Sequence, residues 1–201
     1  MNNTYLQVQK KAQEILEKYG LPVPVPVFEL ADMLNIKWKL RDSNDIQKIV
    51  SAEEPIAQEI NRDTDILGFF DKDAQTFYIN NTTQSIRRKR FTMAHEIGHM
   101  ILHNHNSGNN FRKAVLKQNL INPPDATEAE ANYFASYLLM PDNEIEKRLA
   151  YTDVMPKGEE LVSEMAKTFA VSPDAMRIRL RTYKKAHPDV WEKYEMEKKL
   201  F

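Results

Sequence analysis

The stretch of sequence that is most informative about the fold is residues 90–99, which read Arg-Phe-Thr-Met-Ala-His-Glu-Ile-Gly-His. His95 and His99 are four residues apart, so on a helix they project from one face, one turn above the other. Glu96 lies on the adjacent edge of that face. Two imidazoles at this spacing, with a Glu directly after the first, are typical of a helical zinc site in which the Glu acts as general base. This stretch therefore predicts a metal-binding helix.

The residues around this pattern are mostly apolar. From Arg90 to Leu102 the chain has no proline, and apolar side chains occupy most positions apart from the two His residues and Glu96. A polar group buried among such neighbours costs on the order of several kcal/mol unless it is paired or binds a metal. Gly98 lowers helix propensity by roughly 1 kcal/mol, but it lets another backbone approach beside the second His. A solvated helix with two polar His residues explains none of this, whereas a buried metal-binding helix does.

A catalytic zinc site needs three protein ligands and one open position, and the sequence offers two candidates for the third ligand. His105 stands ten residues after His95, as in the metzincin pattern, but Leu102 holds the place of the glycine which that pattern requires. Glu128 lies in a second predicted helix, bounded by prolines on both sides. It shares a face with alanines that would allow close packing on the His helix. We favour Glu128 and keep His105 open.

Two polar neighbours of Glu128 are expected to behave differently. Asn132, one turn further on, is placed to accept the outer N–H of a ligating His, the contact that fixes its tautomer. Glu130 points elsewhere and is explained as the reciprocal partner of Thr127 in a capping box. The same box can also be drawn between Asp125 and Glu128. We therefore expect Asn132, and not Glu130, to support the metal site.

Two separate motifs in this chain resemble those of the ImmA/IrrE metallopeptidases. They are residues 91–103, Phe-Thr-Met-Ala-His-Glu-Ile-Gly-His-Met-Ile-Leu-His, and residues 128–141, Glu-x-x-Ala-Asn-x-Phe-Ala-Ser-x-Leu-Leu-Met-Pro. The proline- and valine-rich stretch 22–36 is similar to the N-terminal region of that family. The resemblance covers about residues 10–150, with both motifs in the right order.

The resemblance implies a zinc-dependent endopeptidase with a gluzincin-like core. It implies one zinc ion held by His95, His99 and Glu128, while Glu96 acts as general base. Another divalent metal such as Mn²⁺ is an alternative to zinc at this site. It also implies that the substrate is a helix-turn-helix repressor, commonly encoded beside the protease. Such systems control mobile-element induction or a stress response.

Three nearby side chains are candidates for stabilising the oxyanion of the reaction or for contacting the substrate. They are Tyr133, His103 and His105. The resemblance does not choose among them. Gluzincins of the thermolysin type have Asp at the position that Asn132 occupies in this chain.

Composition narrows the class of protein. A chain of 201 residues supports one good core and a small appended unit. The absence of Cys excludes disulfides and thiolate ligands, which leaves His and carboxylate as zinc ligands. The net charge of −1 gives no general attraction to nucleic acid or anionic membranes. Neither a long apolar run nor a secretory signal is evident, so we expect a cytoplasmic protein without a membrane partner.

The pattern along the chain indicates an α+β fold. Residues 66–70 and 76–80 read as a β-hairpin, residues 36–40 alternate like a strand, and the polar stretch 41–65 is expected to be mainly irregular. We expect a zincin-like core, in which a small antiparallel sheet lies beside two metal-bearing helices.

A second unit is predicted at residues 156–201, after a metallopeptidase domain with N-terminal helices at residues 1–155. A helix to Phe169, a tight turn and a second helix capped by Ser172 give a helix-turn-helix pattern. The second helix is basic through Arg177, Arg179, Arg181, Lys184 and Lys185. The other interpretation is a helical hairpin packed on the protease through Val171, Met176, Ile178 and Leu180.

This second unit supports a rival function, in which the protein is a DNA-binding or protein-binding regulator and its metal site is structural or sensory. A basic recognition helix suits the major groove of DNA. We do not expect the unit to bind DNA independently, because the chain as a whole is nearly neutral. The endopeptidase remains the function that the sequence favours.

Overall fold

Helices make up most of the structure, a computed structural model that describes residues 3–51, 66–71, 74–82, 85–103, 114–116, 125–150 and 156–197. The helices are α1 (Asn3–Tyr19), α2 (Val27–Met33), α3 (Ser43–Ser51), α4 (Ile86–Leu102), α5 (Ala126–Leu139), α6 (Asp142–Ala150), α7 (Gly158–Thr168), α8 (Pro173–Ala186) and α9 (Pro188–Glu197). The strands are β1 (Lys37–Arg41), β2 (Ile66–Asp71), β3 (Thr76–Asn80) and β4 (Ala114–Leu116). The predicted α+β class is confirmed.

The four strands form one sheet in the order β1-β3-β2-β4. The predicted hairpin is present, since β2 and β3 pair antiparallel, and β4 adds antiparallel to the other edge of β2. The expectation of an antiparallel sheet is wrong for β1, which pairs parallel with β3. A parallel pair needs a long crossover connection, and the chain between β1 and β3 supplies one that includes α3 and β2. The sheet is therefore mixed.

Helices α4 and α5 pack against each other very closely at Gly98. A Cβ atom added to Gly98 would lie 3.1 Å from Cδ1 of Phe134 and 3.3 Å from Cα of Ala131. Both distances are below ordinary van der Waals contact, so only glycine fits without displacing α5. The close approach expected from the sequence is confirmed, and it packs the middle of α5 against the C-terminal half of α4.

The C-terminal helices have the cap that the sequence predicts but a different inward face. Ser172 caps α8, where its side chain accepts a hydrogen bond from the N–H of Ala175. Met176 and Leu180 are buried as expected, whereas Ile178 is 61% exposed and Arg179 is 1% exposed. Positions three and four apart share a helical face, and Ile178 lies only two residues from Met176, on the other side. The expectation that Ile178 packs inward is therefore wrong.

Arg179 joins α8 to the end of α5 and the start of α6. Its Nε–H donates to the carbonyl of Met140 over 3.0 Å, and its other nitrogen pairs with the carboxylate of Asp142. The guanidinium also lies 4.0 Å from the centre of the Tyr137 ring. Asp142 accepts a further hydrogen bond of 2.6 Å from Gln9 of α1. A buried polar network therefore connects the C-terminal helices to the rest of the described structure.

Arg90 makes a second connection, from the first turns of α4. Its Nε–H donates to the carbonyl of Ala170 over 3.1 Å, and a terminal nitrogen lies 3.5 Å from the carbonyl of Phe169. Both carbonyls belong to the turn between α7 and α8. The C-terminal helices thus contact the His-bearing helix directly.

Within the described ranges, no helix is long and apolar enough to cross a membrane.

Candidate metal centre

The two histidines of α4 face each other in the interior of the protein. His95 is 1% exposed and His99 is 6% exposed, and their Nε2 atoms are 3.0 Å apart. The helix is capped by Ser85, whose side chain accepts a hydrogen bond from the N–H of Arg88. From this start, the spacing of four residues sets the two rings one turn apart on the face toward α5.

Glu128 brings a carboxylate to these histidines from α5. Its Oε2 lies 3.4 Å from Nε2 of His95, and its Oε1 lies 3.5 Å from Nε2 of His99. Asp125 caps α5 by accepting a hydrogen bond from the N–H of Glu128, which fixes the first turn. Of the two capping boxes drawn from the sequence, the structure has the cap at Asp125. The cap and the contact at Gly98 together set Glu128 opposite the His pair.

The spacing of these three side chains suits a tetrahedral zinc ion. Ligands at about 2.0–2.2 Å from zinc lie about 3.3–3.6 Å from one another in a tetrahedron. Here the two His Nε2 atoms are 3.0 Å apart, and each lies 3.4–3.5 Å from a different oxygen of Glu128. One ligand atom from each residue lies within 4.8 Å of the other two. Within the described part of the chain, His95, His99 and Glu128 form the one group of His and acidic residues whose ligand atoms converge in this way. The chemistry and the spacing both fit a zinc ion.

The charge state of Glu128 also suits a cation. Burial raises the pKa of the Glu128 carboxyl, but its interactions with His95 and His99 outweigh burial and hold that pKa well below its usual range. The carboxylate is therefore ionised near neutral pH. An ionised carboxylate and two imidazole nitrogens can together neutralise and ligate one divalent ion.

Asn132 lies where the sequence places it, behind the first histidine. Its Oδ1 is 2.9 Å from Nδ1 of His95, so the His95 Nδ1–H donates to the amide oxygen. This tautomer leaves a lone pair on Nε2 of His95, directed at His99 and Glu128. A hydrogen bond of this kind orients a ligating ring and sets which nitrogen is free to bind metal.

Glu96 is near the three converging groups but is not one of them. Burial raises the pKa of Glu96 to about 7, with a smaller lowering by His99 and a smaller raising by Glu128. Both His99 and Glu128 therefore influence the pKa of Glu96 through their charges. A carboxyl group whose pKa lies near neutrality can both accept and release a proton at physiological pH. This is the behaviour required of a general base.

The other candidates from the sequence occupy different positions. The Tyr133 ring packs 4.5 Å from that of Tyr5 and 5.0 Å from that of Tyr137, measured between centroids. His103 caps the end of α4 and lies beside His99, with 3.2 Å between their Nδ1 atoms. His105 lies outside the described residues. The structure therefore brings His103, but not Tyr133, into contact with a residue of the His–Glu cluster.

Glu130 has a role that sequence reasoning missed. Its Oε2 lies 3.0 Å from Nε2 of His103, and so it is connected to the cluster through that ring. The expectation that Glu130 points away as a capping partner of Thr127 is wrong, because Asp125 provides the cap. The signal that could have found it is the repeat of His at positions 95, 99 and 103, which extends the polar stripe to the end of the helix.

A model of one protein family matches most of this chain. The family model Peptidase_M78, described as the IrrE N-terminal-like domain, matches residues 52–181 of this chain. This match spans more than half of the chain and includes both helices of the cluster. The protein therefore belongs to the IrrE N-terminal-like family.

Two individual proteins are also similar to this chain. The "Uncharacterized immunity region protein 2" of Bacillus phage phi105 is 27% identical over 142 residues, which cover 69% of this chain and 71% of the phage protein. A solved structure described as "Mycobacterium tuberculosis transcriptional regulator" aligns with 88% of this chain at 12% identity and a TM-score of 0.48. This chain spans only 46% of the length of that regulator.

Proposed function

We propose that the protein is a zinc-dependent endopeptidase that cleaves a helix-turn-helix transcriptional repressor. The observation that carries the proposal is the convergence of His95, His99 and Glu128, with Glu96 beside them, in a member of a peptidase family. Residues 1–155 form the peptidase domain in this proposal, with a zincin-like core. Residues 156–201 form the appended helical unit.

Each residue of the cluster has a distinct task in this proposal. His95, His99 and Glu128 hold the metal, and Asn132 keeps His95 in the tautomer whose Nε2 is free to ligate. When bound, zinc supplies a Lewis acid that polarises the scissile carbonyl and lowers the pKa of water to about 7. Glu96 accepts a proton from the attacking water and returns it to the leaving amine. Both transfers suit a carboxyl group with a pKa of about 7.

The proposed substrate follows from the family and from a relative. The resemblance to ImmA/IrrE metallopeptidases implies a repressor as substrate, and the phage relative is named as an immunity region protein. Control of mobile-element induction or of a stress response is the corresponding process. A repressor substrate would place the reaction in the cytoplasm.

The rival function, a DNA-binding regulator with a structural or sensory metal site, is less well supported by the charges of α8. Arg177 forms ion pairs with Glu159 and Asp174, and the N···O distance is 2.6 Å in each pair. Arg179 is buried, and Lys184 pairs with a carboxylate of α9. Phosphate contacts need free cations, and these contacts already engage three of the five basic side chains of the proposed recognition helix. The helical unit is better suited to contact a protein.

The test is cleavage of the repressor encoded beside this protein. The wild-type protein with one equivalent of zinc should produce two fragments, and a chelator should stop the reaction. Glu96→Gln should bind zinc as well as wild type and yield no fragments, because the amide cannot accept the proton. Loss of zinc from Glu96→Gln would show that Glu96 is a ligand and not the base. A salt-sensitive shift of DNA without any cleavage would support the regulator instead.

A further inference from the structure

Beyond the cluster itself, a chain of hydrogen-bonding groups leads from His99 through His103 to Glu130. The Nδ1 of His99 lies 3.2 Å from Nδ1 of His103, and the Nε2 of His103 lies 3.0 Å from Oε2 of Glu130. The side chains of His103 and Glu130 are 15% and 23% exposed, so this chain is largely withdrawn from water. We call these three side chains, His99, His103 and Glu130, the relay.

The chemistry of the relay allows one arrangement that suits a metal. The Glu130 carboxylate only accepts hydrogen bonds, so it draws the proton of His103 to Nε2. The Nδ1 of His103 then has a free lone pair and accepts a hydrogen bond from His99 Nδ1–H. This leaves Nε2 of His99 without a proton, facing Nε2 of His95 at 3.0 Å and Oε1 of Glu128 at 3.5 Å. The tautomer of His99 is thus set from outside the cluster.

The opposite tautomer of His103 would prevent His99 from binding a metal. If His103 donated its Nδ1–H to His99, the proton of a neutral His99 would sit on Nε2, between the groups that should hold the metal. His95 has its own support in Asn132, whose amide oxygen is 2.9 Å from Nδ1. At His99, the corresponding contact of Nδ1 is with Nδ1 of His103, at 3.2 Å. The two ligating histidines are therefore oriented by different means.

We infer that His103 and Glu130 are positioning residues, which fix His99 in the tautomer and orientation that bind the metal. The inference rests on the proposed function, since it assigns His99 as a ligand. It gives His103 a role other than stabilising the oxyanion, and it gives Glu130 a role that its place in the helix did not suggest. Partners of this kind, when removed, reduce metal affinity or activity by roughly 10–100-fold.

The test measures zinc affinity by competition with a chelator, using the full chain. His103→Leu should bind zinc about 10–100-fold more weakly than wild type. His103→Asn should recover most of this loss, because its Oδ1 lies near the former Nδ1 and accepts the same hydrogen bond. Glu130→Gln should weaken zinc binding, because the amide can donate to His103 and no longer selects the tautomer. His187→Leu is the matched control, since it removes a His that pairs with Asp142 outside the cluster, and it should not change zinc affinity.

A second measurement does not depend on any variant. In the metal-free wild-type protein, the ¹⁵N signals of the His99 ring should show the proton on Nδ1. A proton on Nε2 would overturn the inference, as would equal zinc affinity of wild type and His103→Leu, or failure of His103→Asn to recover the loss. Failure of wild type to bind one zinc ion would instead refute the proposed function. The two failures are therefore distinguishable.

Discussion

Replacement of Gly98 by alanine tests whether the contact between α4 and α5 sets the geometry of the metal centre. The new Cβ would lie 3.1 Å from Cδ1 of Phe134, 3.2 Å from its Cβ and 3.3 Å from Cα of Ala131. The last two atoms belong to the backbone or are attached directly to it, so a change of rotamer cannot relieve the contacts. Helix α5 must move by a few tenths of an ångström.

Two opposing effects decide the stability of this variant. Alanine in place of glycine favours the helix by about 1 kcal/mol, whereas overpacking in a close-packed interior costs about 1–3 kcal/mol. We therefore expect a net loss of at most about 2 kcal/mol in the free energy of unfolding. Zinc binding should be affected separately, because Glu128 moves with α5 and ligand distances tolerate only about 0.2 Å. Zinc affinity should fall at least about tenfold, as for the loss of a supporting contact.

The assay combines thermal unfolding of the metal-free protein with chelator competition for zinc. Val171→Ala is the control, because Val171 is buried in the turn between α7 and α8 and not between the metal-bearing helices. It should lower the unfolding temperature and leave the zinc affinity of the folded protein unchanged. If Gly98→Ala binds zinc as tightly as wild type, the reasoning that this glycine sets the ligand spacing is refuted.

Three other outcomes are expected. Glu128→Ala should lose zinc in metal analysis and His105→Ala should keep it; the reverse result would favour the metzincin-like alternative. Free zinc at 100 times its dissociation constant should stabilise wild type by about 2.7 kcal/mol in thermal unfolding, and this gain should be absent from Glu128→Ala. Arg179→Met should lower the free energy of unfolding by about 3 kcal/mol, because it leaves Asp142 without its buried partner. Arg177→Met should change the free energy of unfolding far less, since the ion pairs of Arg177 are at the surface. Equal losses in the two variants would contradict the roles assigned to Arg179 and Arg177.

Helices α4 and α5, which carry the candidate metal ligands, are the part of the fold that the sequence predicted best. Spacing of four residues places His95 and His99 on one helical face whatever surrounds them, because that relation depends only on the helix itself. Gly98 and the alanines of α5 are small for a reason that can be read locally, namely that another helix approaches there. The position of Glu128 followed from these two local features.

Relations between distant residues were harder to predict. The parallel pairing of β1 with β3 depends on a crossover that no local pattern encodes, and the sheet is mixed for this reason. Glu130 had a sufficient local explanation as a helix cap, which hid its contact with His103. The inward face of α8 was misjudged because Arg179 is charged and Ile178 is apolar. Only the position of Asp142 and the carbonyl of Met140 makes burial of that arginine favourable.

The attachment of the C-terminal helices through Arg90 has an evolutionary consequence. Its guanidinium binds carbonyl oxygens of Phe169 and Ala170, which every residue type provides. Selection must therefore retain the arginine and the path of the turn, in which Ala170 adopts a φ of 51°. The exposed side chains of α7 and α8 take no part in this attachment, so it does not constrain their identity. They can change without loosening this attachment, while the helices that carry them stay bound to the His-bearing helix.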